Sequence, residues 1–557
     1  MIRILFHDAS QLSLLPLLLL VFLLPRPGSS QDVTAKIDDL YQVKENAPGF
    51  SIAVFKGNDL LVEKQYGKSN LSYGTPITPQ TVFDVGSIAK QFTAAAILLL
   101  KNQGKLSIKE PARRYIDALP NYSKGDPTIE HLLNQTSGIK EVDPYLEICD
   151  IHWRDYIRPS MLVNIISNVD ELRFAPGEHF YYSNANYILL AAIIEKASGM
   201  SYADYLQQNI FEPLKMENTI VNTDVHRTIE NRAIGYMEDE GTFYKTQQYG
   251  LFYAGDGQIL TTPRDMFQWH QNLRKATIGT PELWKKMHTK AKLNNGTSIN
   301  HGLGVEFETH NGQEAMGFDG MILSGFVSKY LYFPALDMAF FTTQNTFEED
   351  FKDRFFNLID LYISGESKQE ASSNDAPITL SDEALKKYEG TYLFYYNDED
   401  RKANKVKLED HQLQVLTMDD DKIASLIPIG NHQFLFGEDG DAKVKFDLSG
   451  AQKQYTYDQL ENEKPWLFKE FVPYEHSEEE LKEYEGQYYN PQLQVGKKLQ
   501  IEDGTLYFFH RNGAWKDEVQ SLSKDLLEIS ISPIQFIRNA DNDIEGFEIM
   551  GVLFKKL

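Results

Sequence analysis

The chain carries one cysteine, Cys149, in 557 residues. A lone thiol cannot close an internal disulfide, so stability must come from apolar cores. With no partner histidine evident, Cys149 reads as a small buried residue. Positive charge is also short: 55 lysines and arginines face 80 aspartates and glutamates, a formal net charge of −25. Such a surface repels phosphate backbones, which argues against nucleic acid as a partner. No glycine-rich phosphate loop occurs, and no close Cys/His/Asp cluster has metal-ligand spacing, so neither a metal nor a cofactor is expected. Apolar material is ample, at 42% hydrophobic residues, and the length calls for several domains.

The first thirty residues differ from the rest. Arg3 precedes an apolar run from Leu12 to Leu24, broken by Ser13 and Pro16, and Gly28, Ser29 and Ser30 follow. A basic start, a short apolar core and small residues form a signal-peptide layout, with cleavage expected near Ser30–Gln31 and a secreted or periplasmic product. The run is short for a bilayer span, so no stable membrane insertion is expected after cleavage. No cysteine follows it to carry a bacterial lipid anchor.

Apolar periodicity predicts a helix over Val33–Asn46, strands over Phe50–Phe55 and Leu60–Tyr66, and helices over 88–103, 161–168, 185–198, 202–209, 264–274 and 281–288. Strands return near 303–308, 322–333 and 337–344. This order implies one sheet with helices packed on it. Gly365–Pro377 is polar and aperiodic and reads as a linker. Beyond it the chain repeats itself. Leu385-Lys-Lys-Tyr388-Glu-Gly390-Thr-Tyr392 recurs as Leu481-Lys-Glu-Tyr484-Glu-Gly486-Gln-Tyr488, and Val406–Leu413 recurs as Leu499–Leu506. Two blocks in the same order imply a duplication into two small β-rich modules. The expected organisation is thus a signal over 1–30, a main domain over 31–364, a linker over 365–377, and modules over 378–472 and 473–557.

The strongest chemical signal is Phe83-Asp-Val-Gly86-Ser87-Ile-Ala-Lys90-Gln-Phe92. Ser87 and Lys90 are three apart at a helix start and therefore share a face. A serine hydroxyl needs a base, and a buried lysine with a lowered pKa can serve. By itself Ser-x-x-Lys equally fits a capping serine and a solvated lysine. The apolar helix that follows at once must be buried, and it carries Lys90 toward the interior. A second element is Phe174-Ala-Pro176-Gly177-Glu-His-Phe180-Tyr-Tyr182-Ser183-Asn184. Tyr182 near two cations would have a lowered pKa and shuttle protons, and Asn184 could bind a substrate amide or hold Lys90.

At these residues the chain resembles the class C β-lactamase and penicillin-binding-protein family, which also holds D-aminopeptidases, carboxypeptidases and esterases. The likeness runs from about residue 36 to 346 and includes Thr128–Gly138, Phe211–Thr219 and Gly255–Asp265. It implies an α/β (α+β) fold: a serine β-lactamase-like domain, with an antiparallel sheet flanked by helices and an all-helical region, followed by the two β-modules. The modules themselves resemble the barrel-like β-domains often appended to such enzymes. The resemblance makes Ser87 the nucleophile, Lys90 its base partner, Tyr182 the general base or acid and Asn184 a substrate-positioning residue. It also implies an oxyanion hole from the backbone N–H groups of Ser87 and Met321.

The family's third element is Lys or His, one residue, then Gly. Here Ala315-Met-Gly317-Phe318-Asp319-Gly320-Met321 keeps Gly320 but places Phe318 where the cation is usual. Phe318 cannot charge-pair with a substrate carboxylate, which disfavours β-lactamase and carboxypeptidase activity. His301 is a candidate replacement cation, although a histidine at a strand edge is usually structural; His131 reads as a local packing or hydrogen-bonding residue. The expectation is an exported serine hydrolase that forms a Ser87 acyl-enzyme on a small-molecule or peptide ester or amide, esterase or D-amino-acid-peptidase-like. The alternative is a non-catalytic sensor of peptides or cell-wall fragments on the same fold.

Overall fold

A computed structural model describes residues 30–557 apart from 153–154, 225, 247–253, 349, 364–376, 396–402, 419, 438–441, 451 and 459–465. The expected signal peptide lies outside the described residues, as does nearly all of the expected linker. The chain divides into a unit of residues 1–42 and a unit of residues 43–557. In the first, a helix spans Ser30–Leu40, starting and ending earlier than the periodicity predicts. No helix among the described residues is long and apolar enough to cross a membrane.

The second unit is built on a six-stranded antiparallel sheet. Its strands are β1 (Phe50–Lys56), β2 (Asp59–Gln65), β3 (Glu306–His310), β4 (Gln313–Ile322), β5 (Phe326–Phe333) and β6 (Met338–Gln344). Their order is β3-β4-β5-β6-β1-β2. The sequence FSIAVFK of β1 is buried up to Lys56, and MAFFTTQ of β6 is buried throughout. Continuous apolar runs of this kind belong to strands covered on both faces. The periodicity predicts one strand over 322–333 and none over 313–322. The structure instead folds these residues into the β4–β5 hairpin, with Met316 opposite Tyr332 and Ile322 opposite Phe326.

Two helices carry the centre of the molecule. Ala89–Asn102 is buried from Ala89 through Leu100, with Lys90, Gln91 and Thr93 among the buried residues. Asn184–Ser198 ends at Gly199, whose φ of 75° supplies the left-handed stop.

The repeat is visible atom by atom. Ser381 and Ser477 each cap a short helix. The Tyr392 hydroxyl donates to the Tyr388 carbonyl at 2.8 Å, and Tyr488 donates to Tyr484 at 2.7 Å. Glu389 accepts from the Leu408 N–H at 2.8 Å, and Glu485 accepts from the Ile501 N–H at 2.7 Å. The two hairpins turn on Asp410-His411 and Asp503-Gly504, all at positive φ, the turn whose twist suits adjoining strands. The copies differ in closure. The first is a closed eight-stranded barrel, in which Gly390–Tyr395 pairs with Trp466–Phe471. The second is a nine-stranded sheet ordered with Gly486–Asn490 beside Val552–Lys556, so the barrel-like expectation describes the first module better.

The second module packs into the same continuous core as the main domain. The Tyr145 hydroxyl donates to the Met550 carbonyl at 2.8 Å across this junction.

Candidate active site

Ser87 sits in a single turn of 3-10 helix, Gly86–Ile88, that feeds directly into the Ala89–Asn102 helix. It caps nothing: no side-chain cap bond forms at either start. Gly86 has φ of 52°, and its N–H donates to the Asp84 carboxylate at 3.0 Å. A Cβ on Gly86 would lie 2.8 Å from the Met321 backbone nitrogen, and one on Gly320 would lie 1.9 Å from the Val85 carbonyl oxygen. Only glycine at both positions lets β4 close against the nucleophile turn. Gly320 and Met321 are therefore placed beside Ser87, with the Met321 side chain 66% exposed.

Lys90 is fully buried, and burial pushes its pKa down, against the pull of the nearby Asp256 and Glu141 carboxylates. Its Nζ lies 2.9 Å from Ser87 Oγ, 2.8 Å from Asn184 Oδ1 and 3.3 Å from the Asp256 carbonyl oxygen. The Tyr182 hydroxyl lies 2.8 Å from Ser87 Oγ on the other side. Lys90 and Tyr182 thus meet at the Ser87 oxygen, and Asn184 joins them through Lys90.

The geometry fits both protonation states of Lys90. A neutral lysine amine has two N–H bonds and one lone pair. As an ammonium, Lys90 donates to all three acceptors; once it has given up a proton, Asn184 Oδ1 and the Asp256 carbonyl, which can only accept, hold its two N–H bonds and the lone pair faces Ser87 Oγ. In that deprotonated state the serine donates to Lys90 and accepts from Tyr182.

One electrostatic expectation is overturned. The sequence predicts a lowered pKa for Tyr182 beside cations; burial instead pushes it well above the ordinary phenol value, outweighing the lowering effect of its hydrogen bond to Ser87. Lys90 is the cation beside it, at 4.9 Å from the ring centroid, and burial disfavours that charge too. Tyr182 rests as a neutral phenol.

Phe318 on β4 is buried and walls the site. Its ring centroid lies 6.3 Å from that of Tyr182 and 6.0 Å from that of His301, with Lys90 Nζ 5.9 Å away. His301 does not supply the missing charge: burial and the neighbouring Lys90 push its pKa to about 3, so it is neutral. His131 works locally, its Nδ1 accepting from the Thr128 N–H at 3.2 Å in a capping box. Cys149 is partly buried, and burial pushes its thiol up to about 11.

Two carboxylates at the site carry no sequence signal of their own role. Glu141 accepts from the Asn184 N–H at 2.6 Å and from the Val142 N–H at 2.7 Å; burial raises its pKa despite these bonds. Asp256 falls in the Gly255–Asp265 block that contributes to the family likeness; burial raises its pKa as well. Elsewhere, Glu147, His510 and Asp517 bring their ligand atoms within 4.8 Å of one another, a cluster that spacing along the chain does not show. The Lys497 ammonium stands 3.4 Å from His510 Nδ1 and is paired with Asp150. That charge opposes a bound cation, and the group serves as an ion-pair network between the main domain and the second module.

A family model described as beta-lactamase matches residues 33–362. Penicillin-binding protein 4* of Bacillus subtilis (strain 168) is 30% identical over 271 residues, covering 46% of this chain and 58% of that protein. The D-aminopeptidase of Brucella canis is 25% identical over 275 residues, covering 49% of this chain and 52% of that protein. The chain therefore spans little more than half the length of these relatives. Among solved structures, the octameric penicillin-binding protein homologue from Pyrococcus abyssi aligns with a TM-score of 0.55 at 24% identity, covering 79% of this chain and 99% of that one. That likeness is one of fold.

Proposed function

Because the chain belongs to the β-lactamase family, we propose that it is a serine hydrolase in which Ser87 is acylated by an ester or amide substrate. The observation that carries this reading is Ser87 Oγ held between Lys90 Nζ at 2.9 Å and the Tyr182 hydroxyl at 2.8 Å. Nucleophile, base and a third orienting group within hydrogen-bond reach form the arrangement that activates serine.

In this reading, Ser87 attacks the substrate carbonyl as its proton passes to the neutral Lys90 amine. The new C–O bond forms a tetrahedral oxyanion, which the backbone N–H groups of Ser87 and Met321 are placed to stabilise. The bond to the leaving group then breaks. Tyr182, as a neutral phenol, gives that group its proton and regains one from the Lys90 ammonium. Water enters and the same relay runs in reverse to release the acid and free Ser87.

The substrate class follows from Phe318. An apolar wall favours neutral acyl groups, which supports an esterase or D-amino-acid peptidase rather than a true β-lactamase. D-aminopeptidase among the relatives agrees with a peptide or amide substrate. The Arg3, Leu12–Leu24 and Gly28–Ser30 layout supports export to a secreted or periplasmic location, which N-terminal sequencing of the product outside the cell would test.

The deciding experiment is intact-mass analysis after incubation with a fluorophosphonate. One adduct is expected, mapping to Ser87 and absent in Ser87→Ala. An adduct that persists in that variant on another serine would overturn the assignment.

A further inference from the structure

Aromatic rings run through the core of the eight-stranded barrel. Tyr388, Phe434 and Phe446 pack ring against ring, with centroids 4.9 to 5.5 Å apart, and Phe446 meets Tyr455 at 5.1 Å. Tyr455 and Phe468 then stack at 4.4 Å and 11°. Beyond them opens a cavity of about 1060 Å³ lined by Phe394, Phe436, Tyr455, Tyr457, Trp466 and Phe468. Glu141 and Arg173 of the main domain and Glu528–Pro533 of the second module line its mouth. The space is of the size that takes a drug-sized or lipid-sized ligand; Ser87 does not line it, and it reaches the active site only at Glu141, whose carboxylate caps the Asn184 helix.

We infer that this cavity is a second binding site, which takes the uncharged apolar tail or ring of an amphiphile into the mouth of the barrel. The chemistry of its walls carries the inference. Six aromatic rings offer faces and edges for apolar contact. The polar pair at the floor is already satisfied: Asn404 Nδ2 donates to the Tyr455 hydroxyl at 2.7 Å. A charged or strongly polar group inserted there would be desolvated without compensation.

The rim chooses the head group. Lys140, Arg173 and Lys516 are outnumbered by Glu141, Asp421, Asp517, Glu518 and Glu528. An acidic rim of this kind favours a neutral or cationic head over a carboxylate. Ile423 stands at the rim, 50% exposed, so a substitution there alters entry without opening the core.

The test is fluorescence titration of the full-length chain with the neutral probe N-phenyl-1-naphthylamine. A saturable enhancement with one probe per chain is expected, displaced by 1-dodecanol and at least tenfold less well by dodecanoate. Ile423→Arg is expected to weaken probe binding at least tenfold while leaving the melting temperature and fluorophosphonate labelling of Ser87 unchanged. Trp466→Ala is expected to weaken it similarly. No saturable signal, or unchanged affinity in Ile423→Arg, would overturn the site. Dodecanoate competing as well as dodecanol would overturn the assignment of the head group.

Discussion

The backbone N–H of Asn184 donates to the Glu141 carboxylate at 2.6 Å. This is the first N–H of the Asn184–Ser198 helix, and Ser183 before it forms no side-chain cap. A carboxylate from a distant loop therefore does the capping, where the helix dipole favours negative charge. Because Asn184 Oδ1 also holds Lys90, Glu141 positions the base through one intervening residue.

Glu141 should therefore leave a trace in the pH profile. Its charge raises the Lys90 pKa against the dominant lowering by burial. Burial raises the Glu141 carboxyl itself to about 7, so its charge is present mainly from neutral pH upward; Glu141→Gln removes it, and Lys90 there loses its proton at lower pH. Activity that needs the free amine should then persist further into acid, and the acid limb of kcat/KM on a p-nitrophenyl ester should move down. Glu141→Ala also deletes the hydrogen bond, worth about 1.5–3 kcal/mol for a charged acceptor, and should cut kcat roughly 10–100-fold. A purely structural residue would leave the acid limb where it is.

Lys90 and Tyr182 share one oxygen atom, so their removal should not be additive. Lys90→Ala and Tyr182→Phe are each expected to lower turnover by roughly 10²–10⁴-fold. The double variant should lose less than the product of the two, because groups that act as a unit fail together. Fully multiplicative losses in single-turnover kinetics would show two independent roles.

What is legible in the sequence depends on range. Ser87 and Lys90 are three residues apart at the start of one helix, and the apolar run behind them signals burial by its composition alone. Tyr182 and Asn184 are legible as a motif. Glu141 is not: nothing local to it says that its carboxylate will meet the Asn184 N–H 43 residues away. The Tyr182 pKa escapes a sequence reading for a related reason, since spacing shows neighbouring charges but not the depth of burial. In the tail, the repeat announces two similar modules. Whether each closes depends on strands far apart in sequence, such as Gly390–Tyr395 meeting Trp466–Phe471.

Asp84, whose carboxylate holds the Gly86 N–H of the nucleophile turn, offers a stability test. It is buried, and burial raises its pKa to about 6 even though it accepts from the Gly86 N–H and faces Arg232. Since the folded value exceeds the unfolded one, the folded state binds more protons between about pH 4 and 6. This group's contribution is therefore most favourable at low pH and is lost as pH rises through that window. Asp84→Asn removes the titration. The stability of the variant relative to wild type should rise between pH 4 and pH 8 by up to about 3 kcal/mol. Denaturant melts at the two pH values measure it, and a pH-independent difference would show that Asp84 stays ionised when buried.

Phe318 is the residue that sets substrate class. Its ring stands between Tyr182 and the neutral His301, so neither neighbour replaces the cation usual at this position. A charge-assisted hydrogen bond to a substrate carboxylate is worth about 1.5–3 kcal/mol, roughly 10–150-fold in affinity. Here that contact is missing, and a carboxylate beside the ring would also lose its water. Neutral p-nitrophenyl esters should accordingly be cleaved faster than penicillins or D-Ala-D-Ala peptides. Phe318→His alone places a new imidazole in the apolar wall beside His301, where burial would hold it neutral as it does His301. Phe318→Lys should therefore shift the ratio of kcat/KM values toward carboxylate-bearing substrates more than Phe318→His does. A wild-type chain that hydrolyses a cephalosporin as fast as a simple ester would show that another segment supplies the charge, and the preference for neutral substrates would fall with it.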